Sequence, residues 1–529
     1  MRLVRHFLTV GSNTMASRVL GFVREMLIAA TLGAGPVADV FYAAFRFPNL
    51  FRRLFAEGAF NSAFIPLFSR ALEEDGEAGA RRFAEEVLAA LFVVLIIFTA
   101  LVELAAPFFV ATVIAPGFAG DPAKFDLTAL LARIMFPYLA CMSLVAMLSG
   151  VLNALHRYFA AAFAPVLLNI ILIAVLGLAI IGDLPVEAIG HLMAWGVFTA
   201  GLAQLLLLTV AVRKAGFPLK LRRPRMTPGV KRLLVLAGPA ALAGGITQIN
   251  LFIGQIIASQ KAGAIAVLQY ADRVYQLPLG VVGIAIGVVL LPELSRALKA
   301  GNHGEGARLQ NRSLEFALFL TLPAAAALFV MPEPVVRVLF ERGAFLPETT
   351  AIVSAALSFF ALGLPAFVLV KVFSPGFFAR EDTKTPMYVA GVAVVTNVAL
   401  SLTLFPVMGE AGIALATTLA GWVNAALLFM LLMRRGQWPV EAASMKRGGL
   451  IGVASLVMAV ALFGSLSVLG TALRPDTAFI LQIAALGLLV AGGAALYFAL
   501  AHILGAADLK ALAGMMRRSG ASTSSDAGT

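Results

Sequence analysis

Runs of about twenty apolar residues recur along the whole 529-residue chain, and no other feature constrains its fold as strongly. A segment of that length crosses the hydrocarbon core of a bilayer as an α-helix. Only helices and closed barrels satisfy every backbone N–H and C=O where water is absent. Composition points the same way, because 13% of the residues are charged where soluble domains carry about 25%. The expected fold class is an all-α polytopic membrane protein.

The apolar runs predict fourteen transmembrane helices, over roughly 5–32, 37–69, 83–115, 127–155, 160–182, 187–212, 230–260, 265–298, 312–331, 348–379, 386–406, 411–434, 448–470 and 478–504. The first run is too long for the apolar core of a cleaved signal, so it reads as a retained helix. An even number of spans puts both termini on one side. With that side in the cytoplasm, about 27 of the Lys and Arg fall in inner loops and tails and about 5 in outer ones, as the positive-inside rule requires. The stretch from Arg213 to Arg232 is the largest single cluster, with eight of them. The net charge of +12 is therefore expected to mark cytoplasmic loops and not nucleic-acid binding. Residues 331–345 alternate apolar and charged positions at helical spacing and predict an interfacial helix on the outer surface.

The chain repeats itself. "PLFSRALEEDGEAGAR" (66–81) returns as "PELSRALKAGNHGEGAR" (292–308), about 226 residues on, and Pro137 and Asn169 match Pro365 and Asn397 at nearly the same offset. Six helices per unit gives the two units one orientation, related by a pseudo-twofold axis along the membrane normal. This predicts an N-lobe over 1–228 and a C-lobe over 229–436. A C-terminal helix pair over 437–505 lies outside the repeat, and a cytoplasmic tail over 506–529 is expected to be disordered at its Ser- and Gly-rich end.

Charges sit where the membrane should carry none. Placing one at the bilayer centre costs about 2.5–3.5 kcal/mol, so such groups face a bundle interior or a wet cavity. In "ASRVLGFVRE" (16–25), Arg18 and Arg24 lie about 9 Å apart along a helix and about 120° around it. A bend at Gly21 would let both reach one cavity. On helix 2, Asp39, Arg46 and Arg53 recur every seven residues as one stripe, Arg52 lies off it, and Glu57 falls four residues after Arg53, in pairing position. The repeat aligns Arg46 with Asp272 and Phe47 with Arg273. Arg18, Arg24, Arg52 and Arg273 are thus the expected substrate-binding residues, converging from both halves. Glu25, Asp39, Arg46, Arg53, Glu57 and Asp272 are the supporting cavity charges. Arginine grips phosphate through a planar fork, so the set describes a pocket for a polyanion such as a diphosphate. The alternative is that each arginine only pairs with a neighbouring acid to hold helices together. Asn169, Asn397 and Gln248 read as interhelical hydrogen-bonders.

No HExxH, P-loop or Cys–His pair is present, so no catalytic residue and no enzyme activity is expected. Cys141 stands alone, which excludes an intrachain disulfide and a Cys-based metal site. No cofactor is expected, and no metal ligand is assigned. Without a nucleotide motif, transport must draw on a coupling cation (sodium or a proton) or on the membrane potential.

The stretches "SRVLGFVRE", "PNLFRRLFAEGAF" (48–60), "PLFSR" and "ADRVYQLPLG" (271–280), with Asp39 between the first two, closely resemble the MurJ (MviN) lipid II flippases of the multidrug/oligosaccharidyl-lipid/polysaccharide exporter superfamily. The resemblance spans helices 1 to 14 and implies two six-helix lobes plus a helix pair lining a groove for a prenyl tail. It implies a bacterial inner-membrane protein that moves undecaprenyl-diphosphate-MurNAc-pentapeptide-GlcNAc outward for peptidoglycan synthesis, with membrane lipids as its other partners. It also implies essential cavity roles for Arg18, Arg24, Arg52 and Arg273, and important acids at Asp39 and Glu57. Some members carry Glu three residues after the helix 8 arginine, where this chain has Gln276. Two rival functions are an exporter of another prenyl-diphosphate-linked glycan and a drug/cation antiporter of the same superfamily. A third is a membrane scaffold without transport.

Overall fold

The computed structural model describes residues 2–53 and 60–506. Glu57 and residues 507–529 lie outside that range. Among the described residues the chain is helical, with no strand. It divides into two compact units, Met1–Ala266 and Val267–Thr529.

The first unit contains α1 (Arg2–Leu32), α2 (Pro36–Phe51), α3 (Phe60–Glu74), α4 (Gly76–Leu104), α5 (Ala106–Phe109), α6 (Pro122–Met135), α7 (Pro137–Ala154), α8 (Tyr158–Ile181), α9 (Val186–Lys214) and α10 (Pro228–Ala258). Here α1 packs on α8, both α7 and α8 pack on α9, α2 packs on α6, and α3 meets α4, α7 and α10. Phenylalanine fills much of the core: Phe47 touches Phe109, Phe136 and Phe252, and Phe64 stacks between Phe60, Phe68 and Phe83.

The chain enters the second unit along α11 (Ala264–Lys299) and continues through α12 (His303–Val330), α13 (Pro332–Phe340), α14 (Pro347–Phe378), α15 (Lys384–Met408), α16 (Glu410–Arg434), α17 (Ala442–Leu469) and α18 (Phe479–Ile503). Helix α14 is central, packed by α12 and α16, with α15 on the far side of α16. A buried cluster that includes Leu294, Val372, Phe377 and Trp438 closes one end. The last two helices attach through α12. Tyr497 donates from its hydroxyl to the Phe319 carbonyl at 2.7 Å, while Ser444 and Arg447 both reach Glu315, at 2.5 and 3.0 Å.

Ten helical stretches among the described residues are long and apolar enough to cross a membrane. Exposed residues such as Ile181, Phe463 and Ile480 give these helices an apolar outer face suited to hydrocarbon. Two stretches differ from the other eight: Pro122–Ala154 is 78% buried over its apolar window and Pro347–Phe378 67%, against 22–39% elsewhere. These are the stretches that carry Pro137 and Pro365, the prolines matched by the internal repeat. Each unit thus has one of these proline-bearing stretches as its most buried membrane-length helix.

Proline also explains where the observed helices differ from the expected ones. The run 127–155 is two helices, because Pro137 supplies no N–H and opens α7 at its first position. The run 83–115 breaks at Pro107 into α4, α5 and a wide turn over Val110–Ile114. The stretch expected to form an interfacial helix does form a helix, α13, with Val335, Val336 and Phe340 buried against the unit.

Candidate functional site

The charged stretch of α1 is held by two other helices. Gly21 faces α8, where a Cβ would sit 3.6 Å from the amide of Asn169. That closeness lets Asn169 donate from Nδ2 to the Ser17 carbonyl at 2.9 Å and accept at Oδ1 from Arg24 Nη1 at 3.0 Å. The other Nη of Arg24 bonds Glu25 at 2.6 Å, and the Tyr42 hydroxyl on α2 donates to the second Glu25 oxygen at 2.7 Å. Arg24 is 7% exposed and Glu25 1%. A polar knot from α1, α2 and α8 therefore sits inside the apolar bundle. The buried Arg24 Nε–H has no hydrogen-bond partner among the described residues. A guanidinium whose Nε–H is unpartnered is equipped to bind an oxyanion.

The remaining predicted residues separate into distinct environments. Arg18 is exposed and does not share the surroundings of Arg24. Helix α1 runs unbroken past Gly21, whose visible contribution is close approach to α8. Asp39 is fully buried and takes no part in the knot. It accepts from Lys124 Nζ at 2.8 Å and from the backbone N–H groups of Gly263 and Ala266 at 2.6 and 3.0 Å, at the start of α11. Lys124 in turn lies 3.9 Å over the Phe118 ring.

The stripe expected on helix 2 grades from buried Asp39 through half-buried Arg46 to exposed Arg53. The α-helix ends at Phe51, and the backbone widens through Arg52 and Arg53. The half-buried Arg52 side chain donates from Nε to Asn49 at 2.8 Å. In the second unit, Asp272 and Arg273 are both half-buried on α11, and Asp272 accepts from Gln276 one turn on. Tyr275 beside them stacks on Phe360, with ring centroids 4.9 Å apart. Lys371 is exposed on α14.

Asn169 and Asn397, paired by the repeat, are both buried and both bond across helices. Asn397 on α15 accepts from Thr417 on α16 at 3.3 Å. Sequence reasoning missed Tyr42 and Lys124. Their one signal was that buried acids at 25 and 39 each needed a donor. Among the described residues no three His, Cys, Asp or Glu side chains gather into a group able to hold a metal ion.

The family profile described as Lipid II flippase MurJ matches residues 28–489. The chain belongs to the MurJ lipid II flippase family. A MurJ relative from Rhizobium meliloti (strain 1021), named a probable lipid II flippase, is 58% identical over 525 residues, covering 99% of this chain and 98% of the relative. The MurJ of Burkholderia cenocepacia, named a lipid II flippase, is 36% identical over 445 residues, covering 82% and 85%. Among solved structures, a MurJ described as inward closed matches with a TM-score of 0.75 at 25% identity, over 93% of this chain and 98% of that one. An inward-facing multidrug resistance transporter of the MATE family, in the MOP superfamily, matches with a TM-score of 0.66 at 14% identity, over 81% and 97%, and shares the fold alone.

Proposed function

We propose that this protein carries lipid II from the inner to the outer leaflet of a bacterial cytoplasmic membrane by alternating access, with fourteen spans and both termini in the cytoplasm. The substrate is the undecaprenyl-diphosphate-linked disaccharide pentapeptide, and its transfer feeds peptidoglycan synthesis. Membership of the MurJ family carries the reading, and 58% identity over nearly the whole of a probable lipid II flippase is its strongest support.

The chemistry assigned to each part follows from the side chains. Arg24 is the central anion grip, with Arg18 and Arg52 as further guanidinium groups of the same unit, and Arg273 is the guanidinium group that the second unit offers to substrate. Glu25 neutralises Arg24 at 2.6 Å, so substrate must displace that carboxylate from one Nη. A diphosphate carries more charge than one carboxylate and can take Nε–H and that Nη together, where Glu25 holds only the Nη, so the exchange favours it. The long tail stays in lipid, next to α17 and α18. A negative interior opposes outward return of the uncompensated positive site by about 2.3 kcal/mol per charge per 100 mV. The membrane potential or a coupling cation therefore resets the cycle.

The antiporter reading is disfavoured by the match to the lipid II flippase family and by 58% identity to a probable lipid II flippase over nearly the whole chain. Reconstituted vesicles containing labelled lipid II test the proposal directly. The wild type should move label between leaflets, Arg24→Ala should not, and a prenyl-diphosphate-linked glycan of another kind should be a poor substrate. Equal transport by Arg24→Ala would remove the assigned grip, and no transport by the wild type would leave the scaffold reading.

A further inference from the structure

We infer that Asn169 is a positioning residue for substrate binding: its neutral side-chain amide fixes the Arg24 guanidinium in the orientation that receives the diphosphate. The inference rests on the reading of Arg24 as the anion grip. Asn169 is 5% exposed and lies on a different helix from Arg24. Its two polar atoms do different work. Nδ2 is anchored on the Ser17 carbonyl of α1 at 2.9 Å, which fixes the amide plane, and Oδ1 then accepts from Arg24 Nη1 at 3.0 Å. Ser17 and Arg24 lie seven residues apart, two turns along α1, so one amide spans the same helix face at two heights. Gly21 sits between them, and its missing side chain leaves the space the amide occupies.

A neutral amide is the chemistry this task requires. A guanidinium alone on a flexible stem pays rotamer entropy on binding, and a fixed one does not. A carboxylate could fix it too, but would add a second negative charge against the incoming diphosphate. Glu25 already occupies one Nη as an exchangeable anion. The Asn169 bond can persist through that exchange because it carries no charge for the diphosphate to repel. Arg24 Nε–H and the Nη vacated by Glu25 then face substrate, while the Nη held by Asn169 sets their direction.

Affinity of the detergent-solubilised full chain for lipid II tests this in a double-mutant cycle over Asn169 and Arg24. Asn169→Ala and Asn169→Leu, the second of similar volume, should each weaken binding about tenfold, the worth of one charge-assisted bond. In an Arg24→Lys background, where the fork is absent, the same substitutions should change affinity less than about twofold. Asn169→Ser gives the same comparison if the Ala variant does not fold. Wild-type affinity in Asn169→Leu overturns the inference. So does an equal loss in both backgrounds, because Asn169 would then act only by packing α8 on α1. If Arg24→Lys alone leaves binding unchanged, the reading of Arg24 fails instead, and that outcome is distinct.

Discussion

Lys124 and Asp39 form an ion pair at 2.8 Å with both side chains sealed from solvent, joining α6 to α2. Two buried charges lose much of their hydration, and the pair is tolerable because Asp39 is also bonded by the Gly263 and Ala266 N–H groups. The two partners are therefore unequal. Asp39→Ala strands an ammonium and two backbone donors, a loss of about 3–5 kcal/mol. Lys124→Met leaves Asp39 with both N–H bonds at a helix start and should cost about 1–3 kcal/mol. Thermal unfolding of the two variants in detergent should give that order, and the reverse order would show that the backbone donors contribute little.

This pair also marks where the sequence stops being informative. Each long helix among the described residues overlaps an expected apolar run, because lipid enforces length and composition position by position, although the run 37–69 appears as α2 and α3. The helices bearing Pro137 and Pro365, matched in the repeat, are the two most buried membrane-length stretches among the described residues. An acid at 39 announced that it needed a donor, yet nothing in local spacing could name Lys124, 85 residues away. The knot was half legible. Arg24 and Glu25 were adjacent in sequence, whereas Tyr42 and Asn169 enter only through the packing of α2 and α8 on α1. Gly21 looked like a bend because glycine loosens helices, and the structure instead uses it to bring a second helix close.

That use of Gly21 has a graded consequence. A methyl group at 3.6 Å from the Asn169 amide is ordinary contact, so Gly21→Ala should transport lipid II at close to the wild-type rate. A larger group has to occupy the volume of the amide. Gly21→Leu should displace Asn169, cost about 1–3 kcal/mol of stability through overpacking, and lower transport at least as far as Asn169→Ala does. Equal activity of the Ala and Leu variants in the vesicle assay would show that the α1–α8 crossing has slack.

The basic stretch after α9 is pinned to α4. Glu85, 2% exposed, accepts from the Lys220 N–H at 3.0 Å and from the Arg222 side chain. Phe217 is buried against Phe68, and Arg81 stacks on its ring at 5.1 Å. Arg223 and Arg225 beside this anchor are exposed. Glu85→Ala and Phe217→Ala should each release the segment, and limited trypsin digestion should then cut after Arg222 or Arg225 at least about tenfold faster, as local opening becomes easier. An unchanged cutting rate in both variants would mean that the strap is held elsewhere.

A last expectation concerns the turn between α14 and α15. Asp382 accepts from the Thr385 N–H at 2.9 Å and the Thr385 hydroxyl at 2.6 Å, and Arg435 donates to it at 2.7 Å. The Thr385 bonds first, and then Arg435, hold its carboxyl down from the ordinary 3.8 to about 2. A depressed carboxylate stabilises the folded chain above its unfolded pKa, and that contribution fades as pH falls through the folded one. Asp382→Asn should therefore lower the unfolding midpoint of the detergent-solubilised chain by its full amount at pH 5 and above. The gap to the wild type should narrow between about pH 4 and pH 2, because the native carboxyl is then itself becoming protonated. Arg435→Ala removes the charged partner and should show the same narrowing with a smaller gap. A gap that stays constant down to pH 2 would assign the effect of Asp382→Asn to lost turn geometry and not to charge.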